Sequence, residues 1–600
     1  MRIPPSLTLL VVGACASSRG VIPSQPPRAA VASTPTPDAS ESNEIRTWKR
    51  ELRDPTTHPA ALERLGKMSN AELRPLLPML IEMSQGFPVW TSIRRRNDDD
   101  YERVPGIERR AEYLEIIARL QDPATIPLFI EALEYSDETY EHALVAVGFL
   151  RDIKAAEGIE PLIRVLEHRL PVGSPANSVR RAAMRALAVL GDARVVPALI
   201  QILVTPASVQ DFSLNQKAAL ALAVLSDARA VPALVQGMYM TGRGSDMFQE
   251  CRLALVNIGS PALQALLPLS DPTSPDSVAL ATRLGLDRLP AHAAIVLGDL
   301  GAAESGPALV AAWRRLPMRD MLEKPPLRGD SEYWPWVFRQ TGVLQEGMSI
   351  LRALGRIADR RATDTLISVL KNKNTLAAFR ASAARALVWT GEPRVIPELV
   401  AVALSSKAPP EQAPGMGKPP IASGRALLGR EPDLRVVAVT AAVHLSSLGY
   451  GKQIRKALDE LVRRDPKSEG LQSAQEGLAA IEKCAGALAC LAKLLAEPPS
   501  GLAEAAAFAL SYAKDKQAAL GLLVDGMRPI ATLPKWAFPH RRAVLFGLHR
   551  LGDKSSTDCL AKLDRMIERD EDAVHLPGTA DALDLLGEER ITAALLRHKD

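Results

Sequence analysis

Few side chains in these 600 residues are placed to do chemistry. The nine histidines do not pair at metal-ligand spacing, no His-Glu dipeptide occurs and no Cys-x-x-Cys is present, so no metal centre is expected. A G-x-x-x-x-G-K-[ST] phosphate loop and a G-x-S-x-G nucleophile elbow are also missing. Asp98-Asp99-Asp100 offers oxygens that suit a hard cation, but it abuts Arg94-Arg95-Arg96 and lacks the alternating spacing of a cation loop. It reads as a solvated charged loop. The sequence therefore assigns no catalytic residue, no cofactor and no metal. What remains is thiol chemistry. Cys15 follows Val12-Gly13-Ala14, Cys484 and Cys490 lie close together in IEKCAGALACLAKLL, and Cys251 and Cys559 sit alone on apolar helical stretches as free core residues.

The elements that would carry these residues repeat. Val179 to Val204 reads VRRAAMRALAVLGDARVVPALIQILV. The pattern returns from Leu214 as LNQKAALALAVLSDARAVPALVQGM and from Phe379 as FRASAARALVWTGEPRVIPELVAVAL. Val179, Ala183, Ala186, Leu187 and Leu190 fall on one face of a helix. Gly191-Asp192 breaks that helix, because Gly reaches the left-handed backbone and Asp can bond nearby amides. Val196, Leu199, Ile200 and Leu203 begin a second helix, with Pro197 in its first turn, where a missing N–H costs nothing. Such units cannot bury an apolar face alone and must stack, which predicts an all-α solenoid.

The helix, Gly-Asp turn and Pro-bearing helix resemble the HEAT repeat, most closely the short variety named after phycobiliprotein lyases. The resemblance runs from about residue 45 to the C-terminus and implies an armadillo-like superhelix of roughly 12–14 helical hairpins. It also implies two classes of function, a protein-binding scaffold or an enzyme of the phycobilin-lyase-like group. The HEAT-like iron hydroxylase carries repeated His-Glu ligand pairs, which this chain lacks.

Composition is consistent with a stacked array. The chain is 47% hydrophobic but only 4% aromatic, as expected where Ala-rich seams join helices. Lys and Arg number 73 against 69 Asp and Glu, a smaller excess than a phosphate-tracking groove usually leaves. Arginines such as Arg180-Arg181 and Arg314-Arg315 read as solvated. No nucleic-acid partner is expected.

At the N-terminus, Met1-Arg2, the apolar run Ser6 to Ala14 and Val12-Gly13-Ala14-Cys15 look like a secretory signal ending in a bacterial lipobox. That resemblance implies a signal peptide over 1–14 and a diacylglycerol on the Cys15 thiol. The mature chain would then be a lipoprotein of the cell envelope, on the outer membrane or the periplasmic side. Residues 15–45 form a Pro-, Ser- and Ala-rich tether without aromatic residues. It cannot bury enough surface to fold, and as a coil it reaches about 30 Å. Residues 46–600 are expected to form one array. Membrane contact would rest on the lipid, since no other stretch is long and apolar enough to span a bilayer.

Insertions interrupt the array at 84–108, 317–344, 405–433 and 529–539, with shorter ones at 205–213 and 241–247, always between the second helix of one unit and the first of the next. Insertions at equivalent points emerge along one edge. Several carry rings in a ring-poor chain: Trp90; Tyr333, Trp334, Trp336 and Phe338; and Trp536. Two readings stand, that the rings seal helix ends or that they form a patch for a protein partner. Cys484 and Cys490 likewise have two readings. On an unbroken helix six positions rise about 9 Å, too far for a bridge whose Cα atoms lie within about 7 Å. A disulfide thus needs a helix stop, for which Gly486 is suited. Otherwise the two are small buried residues at a turn. The sequence as a whole points to a non-enzymatic, lipid-anchored scaffold with an envelope protein as partner, and the lyase-like enzyme is the alternative.

Overall fold

The computed structural model describes residues 42–85 (other than 55), 105–316, 331–408, 432–495 and 501–530, with Leu551; smaller gaps fall at 137–139, 243–244, 272, 287–288 and 290–291. Cys15, Trp90, Trp536, Cys559 and the Asp98–Asp100 run lie outside these residues.

The helices divide into two compact units, up to Phe87 and from Pro88. The first holds α1 (Asn43–Arg53), α2 (His58–Lys67), the short α3 (Asn70–Leu73) and α4 (Leu77–Gln85). Its core is Leu52, Leu62, Leu65, Leu73 and Leu80. Ser69 starts α3 with a capping box, its side chain accepting from the Glu72 amide while the Glu72 carboxylate accepts from the Ser69 amide.

The second unit is an α-solenoid. Its first-row and second-row helices alternate along the chain: α5 (Pro105–Ala118), α6 (Ile126–Glu131), α7 (Glu141–Asp152), α8 (Ile159–Glu167), α9 (Asn177–Leu190), α10 (Val196–Val204), α11 (Phe212–Leu225), α12 (Val231–Gly237), α13 (Phe248–Ile258) and α14 (Ser260–Leu266). An extra helix, α15 (Pro275–Leu284), precedes the pair α16 (His292–Leu300) and α17 (Ser305–Arg315). The order resumes with α18 (Tyr333–Ile357), α19 (Arg360–Lys371), α20 (Ala377–Thr390), α21 (Val395–Ser405), α22 (Leu434–His444), α23 (Gly451–Arg464), α24 (Glu469–Cys484), α25 (Leu488–Leu495), α26 (Gly501–Ser511) and α27 (Lys516–Ile530). The insertion assigned to 317–344 is therefore shorter than its sequence suggests, because the chain is helical from Tyr333 and Val343 and Leu344 are buried. Among the described residues the only strands are β1 (Thr241–Gly242) and β2 (Ser245–Asp246), an antiparallel hairpin in the 241–247 insertion with Thr241 opposite Asp246.

The turn within each unit follows its sequence. Gly191 ends α9 in the left-handed region at φ 72°. Asp192 then accepts from the Arg194 amide and opens a 3₁₀ turn that runs into α10. The same turn follows Ser226, where Asp227 accepts from the Arg229 amide. Glycine is not required at the stop. Gln121, Lys154, Ser226, Ala358 and Ala485 all take positive φ there, at a steric cost of about 1–2 kcal/mol each.

Packing shifts the natural hairpin by half a unit. Second-row helices α8, α10, α19 and α21 pack more extensively on the first-row helix that follows than on the one before. A polar side chain in the first turn of three of the following helices reinforces this. Arg180 of α9 donates Nε and Nη2 to the Leu166 carbonyl near the end of α8, at 3.2 and 3.0 Å. Asn215 of α11 donates to the carbonyls of Ile202, Leu203 and Thr205 at 3.1, 2.8 and 2.7 Å. Arg380 of α20 donates to Leu370 at 2.9 Å. Each satisfies carbonyls that a helix end leaves without partners. Arg180 is 5% exposed, so it is a structural cap and not the solvated arginine its sequence suggests.

The first row is the tighter one. A Cβ on Gly298 of α16 would lie 2.6 Å from the Ala353 Cα of α18, and one on Gly355 would lie 2.5 Å from the Ala386 carbonyl oxygen of α20. Small residues let these backbones touch, which explains why the array needs few rings.

Candidate functional site

Of the sequence-expected positions, the side chains of Trp336, Cys484 and Cys490 are described. Trp336 is 4% exposed, so its ring is a core element of α18 and cannot be offered to a partner as an insertion residue would be. Tyr333, Trp334 and Phe338 belong to the same helix. Cys484 and Cys490 are joined, their Cα atoms 5.4 Å apart. The chain reverses between α24 and α25 because Ala485 and Gly486 both take positive φ, so the helix stop falls at these two residues. Cys251 is a buried free thiol, and burial raises its pKa well above the usual range, with Glu250 and Asp246 adding to the effect. Among the described residues no three His, Cys, Asp or Glu side chains are grouped to hold a metal, and no helix is long and apolar enough to cross a membrane.

Three sets of polar residues stand out. The first is an edge ladder at the turns. Arg194 pairs with Asp192 in its own turn at 2.7 Å and reaches back to Glu160 at 2.9 Å. Arg229 pairs with Asp227 at 2.7 Å and donates to the Ala193 carbonyl at 2.9 Å. Arg394 pairs with Glu392 and reaches Asp364 at 2.6 Å. Hydrogen bonds from Arg194 hold the Asp192 carboxyl below its ordinary range, and those from Arg229 do the same for Asp227. Each arginine joins its turn to the turn before, and each is matched by acid. Pairs this exposed add little stability individually.

The second set is buried in the first row. Arg252 of α13 donates Nε to Asp299 of α16 at 2.6 Å, with both side chains at 0% exposure. The other Asp299 oxygen pairs with Arg356 of α18, whose guanidinium lies 5.3 Å from the Trp389 ring of α20. One carboxylate thus links three successive first-row helices. Beside it, His292 stacks between Tyr239 and Phe248, at 5.2 and 4.0 Å between centroids, and its Nδ1 lies 2.8 Å from the Met238 carbonyl. Burial pushes His292 down to about 4. Burial pushes neighbouring Glu250 up to about 7, and the Asp246 charge on the β-hairpin adds to that shift.

The third set lies on the outward side of α9 and α11. On α9 this side carries Arg181, Arg185 and Val189, the last 45% exposed. On α11 the equivalent positions are Gln216, Leu220 and Val224, all half-buried, and Lys217 next to them acts on the Glu250 carboxyl of α13. Sequence reading missed this face because it requires knowing which side of each amphipathic helix is covered. A signal did exist: α9, α11 and α20 contain arginine or lysine and not one aspartate or glutamate.

Comparison with known proteins agrees with the architecture. Residues 348–413 match the family model of HEAT repeats, and residues 179–205 match that of the PBS lyase HEAT-like repeat. No curated protein sequence matches the chain. Among solved structures, the CpcE–CpcF complex of phycocyanin lyase from Nostoc sp. is similar at 21% identity, over 52% of this chain and 99% of that one, with a TM-score of 0.22. Yeast importin-beta is similar at 13% identity, over 92% of this chain and 74% of that one, with a TM-score of 0.34. The chain thus carries two stretches of HEAT-type repeat within an α-solenoid.

Proposed function

We propose that this protein is a non-enzymatic scaffold of the bacterial cell envelope, anchored by lipid on Cys15, which holds a protein partner against its repeat array. The observation that carries the scaffold reading is the α-solenoid itself, whose stacked helices from α5 to α27 offer a surface that grows with each added unit and suits an extended partner. Two features favour an envelope location. The run Val12-Gly13-Ala14-Cys15 has the form of a lipidation signal, and a Cys484–Cys490 bond suits an oxidising compartment.

Two measurements test this reading. Mass spectrometry of the native N-terminus should find a peptide that begins at acylated Cys15, and Cys15→Ser should abolish it. An intact Met1 N-terminus in the cytosolic fraction would sink the anchoring. A photo-crosslinker at Val189 should capture a protein in cells, and silence there and along the rest of the solenoid would sink the scaffold reading. The alternative, a lyase-like enzyme, draws on the repeat type of residues 179–205. Bound pigment on the purified protein would favour it.

A further inference from the structure

The 205–213 insertion helps to wall a cleft between the C-terminal ends of α8 and α10. Leu166, Leu170, Ala198, Ile202 and Val209 give it aliphatic sides around a space of about 260 Å³. Pockets for drug-sized molecules run about 300–1,000 Å³, so this one suits a ligand of about one amino-acid residue. Two buried polar side chains also line it. Arg180 commits Nε and Nη2 to the Leu166 carbonyl, and its Nη1 makes no further bond. Gln210, 6% exposed, donates Nε2 to the Ile202 carbonyl and to Asn215 Oδ1 at 2.8 and 2.9 Å, which leaves its Oε1 as an acceptor without a donor.

Among the described residues no carboxylate pairs with Arg180. Burial lowers its pKa. Tyr135, the largest opposing influence, is itself pushed up to about 12 by burial and is uncharged at neutral pH. Arg169 then lowers the Arg180 pKa by more than Asp211 raises it. Both Asp211 oxygens are already taken, by the Gly173 amide and by Asn177 Nδ2 at 2.8 Å each. Glu167 and Arg169 line the cleft as exposed residues and offset each other in charge, so the buried Arg180 sets its sign.

We propose that this cleft captures the free C-terminal residue of a polypeptide, with its carboxylate on Arg180 Nη1, its amide N–H donating to Gln210 Oε1 and an aliphatic side chain against Ile202 and Val209. The three groups that such a residue offers match the three that the cleft leaves open. An internal segment would bring the N–H and the side chain but no carboxylate. Hydrogen bonds between guanidinium and carboxylate are charge-assisted on both sides, and capture of a terminal carboxylate is a recurring mode of peptide recognition. Val209, 62% exposed, gains cover from the bound side chain. The inference rests on the scaffold reading and deepens it by naming the end of the partner that is held.

The test uses the full-length chain and two fluorescent peptides of one glycine–serine sequence ending in leucine, the first with a free carboxylate and the second with a carboxamide. The acid form should bind about tenfold more tightly or better. Arg180→Gln should erase that preference, and Arg194→Gln on the turn edge should leave it unchanged. If Arg180→Gln frays α8 by uncapping Leu166, Val209→Glu, at an exposed position, must still weaken the acid form about fivefold or more by placing a like charge beside it. Equal binding of the two peptides, or a preference for the acid form that survives both cleft variants, overturns the proposal. In cells, a photo-crosslinker at the exposed Ser208 should attach to the last residues of a partner protein. Attachment to an internal segment refutes this inference while leaving the scaffold intact.

Discussion

Replacing Asp299 by alanine is the most demanding test of the packing described above. Its carboxylate and the Arg252 side chain are fully buried, and the Arg356 side chain is 8% exposed. Removing the carboxylate leaves two guanidinium groups facing each other in the interior. Breaking one buried pair this way costs about 3–5 kcal/mol. The aromatic faces of Phe248 and Trp389, 5.8 and 5.3 Å from the two guanidinium carbons, are already in place before the substitution and do not offset that cost, though they favour its lower end. The expected loss is therefore about 3 kcal/mol, or about a hundredfold in the local opening equilibrium. Asp299→Asn keeps one acceptor without the charge and should lose about half as much. Replacing all three residues together by Met, Leu and Met should restore stability to within about 1 kcal/mol, because no charge is then stranded. Hydrogen exchange is the assay of choice, since an array of this kind need not melt as one two-state block. Amides of α13, α16, α18 and α20 should lose protection while those of α24 and α26 keep it. A loss under about 1 kcal/mol for Asp299→Ala, or uniform loosening of the whole unit, would refute the reasoning.

Three further outcomes are expected. Ala358→Gly should stabilise α18 by about 1 kcal/mol, because alanine holds φ 54° there at a steric cost that glycine avoids; a denaturation midpoint that falls would count against it. Around the β-hairpin, two buried groups should oppose each other in pH dependence. Raised Glu250 keeps its proton in the fold, so its contribution is full at low pH and fades as pH climbs from 4.5 to about 7. Lowered His292 resists protonation in the fold, so its contribution is full above 6.5 and fades as pH drops to about 4. Local stability should thus be nearly flat between those limits, rising with pH in Glu250→Gln and falling with pH in His292→Phe. Identical pH profiles for the two variants would exclude this account. Finally, Cys484→Ser should destabilise the α24–α25 pair by about 2 kcal/mol, the chain-entropy value for so short a loop. A peptide map in which Cys484 and Cys490 both alkylate without reduction would show that there is no bond to lose.

The repeat was legible because its period rests on local rules. Apolar spacing marks α9 and α10, Asp192 marks the turn, and Pro197 marks the start of the next helix, all within one short stretch of chain. The missed features depend on distant residues. Nothing in VRRAAM says that Arg180 is buried against the Leu166 carbonyl while Arg181, its neighbour, faces outward. That depends on which side of α9 meets α8. The Arg252–Asp299–Arg356 triad links three helices across more than a hundred residues of sequence, and such a group has no local signature. The division after Phe87 was also hidden, since α2 and α4 carry the same amphipathic spacing as the array. Trp336 was misplaced for a related reason: a ring beside prolines reads as a loop residue, whereas here the helix begins ahead of it and turns the ring inward.

The carbonyl caps give the array a direction. Leu166 is satisfied by Arg180, Thr205 by Asn215 and Leu370 by Arg380, so in each case the end of one second-row helix is completed by a residue that comes later in the chain. On the ribosome, where the N-terminal end emerges first, each such helix stays unfinished until the following unit has been made. Folding must then trail synthesis by half a repeat, and a stalled nascent chain would always present one frayed helix at its growing tip.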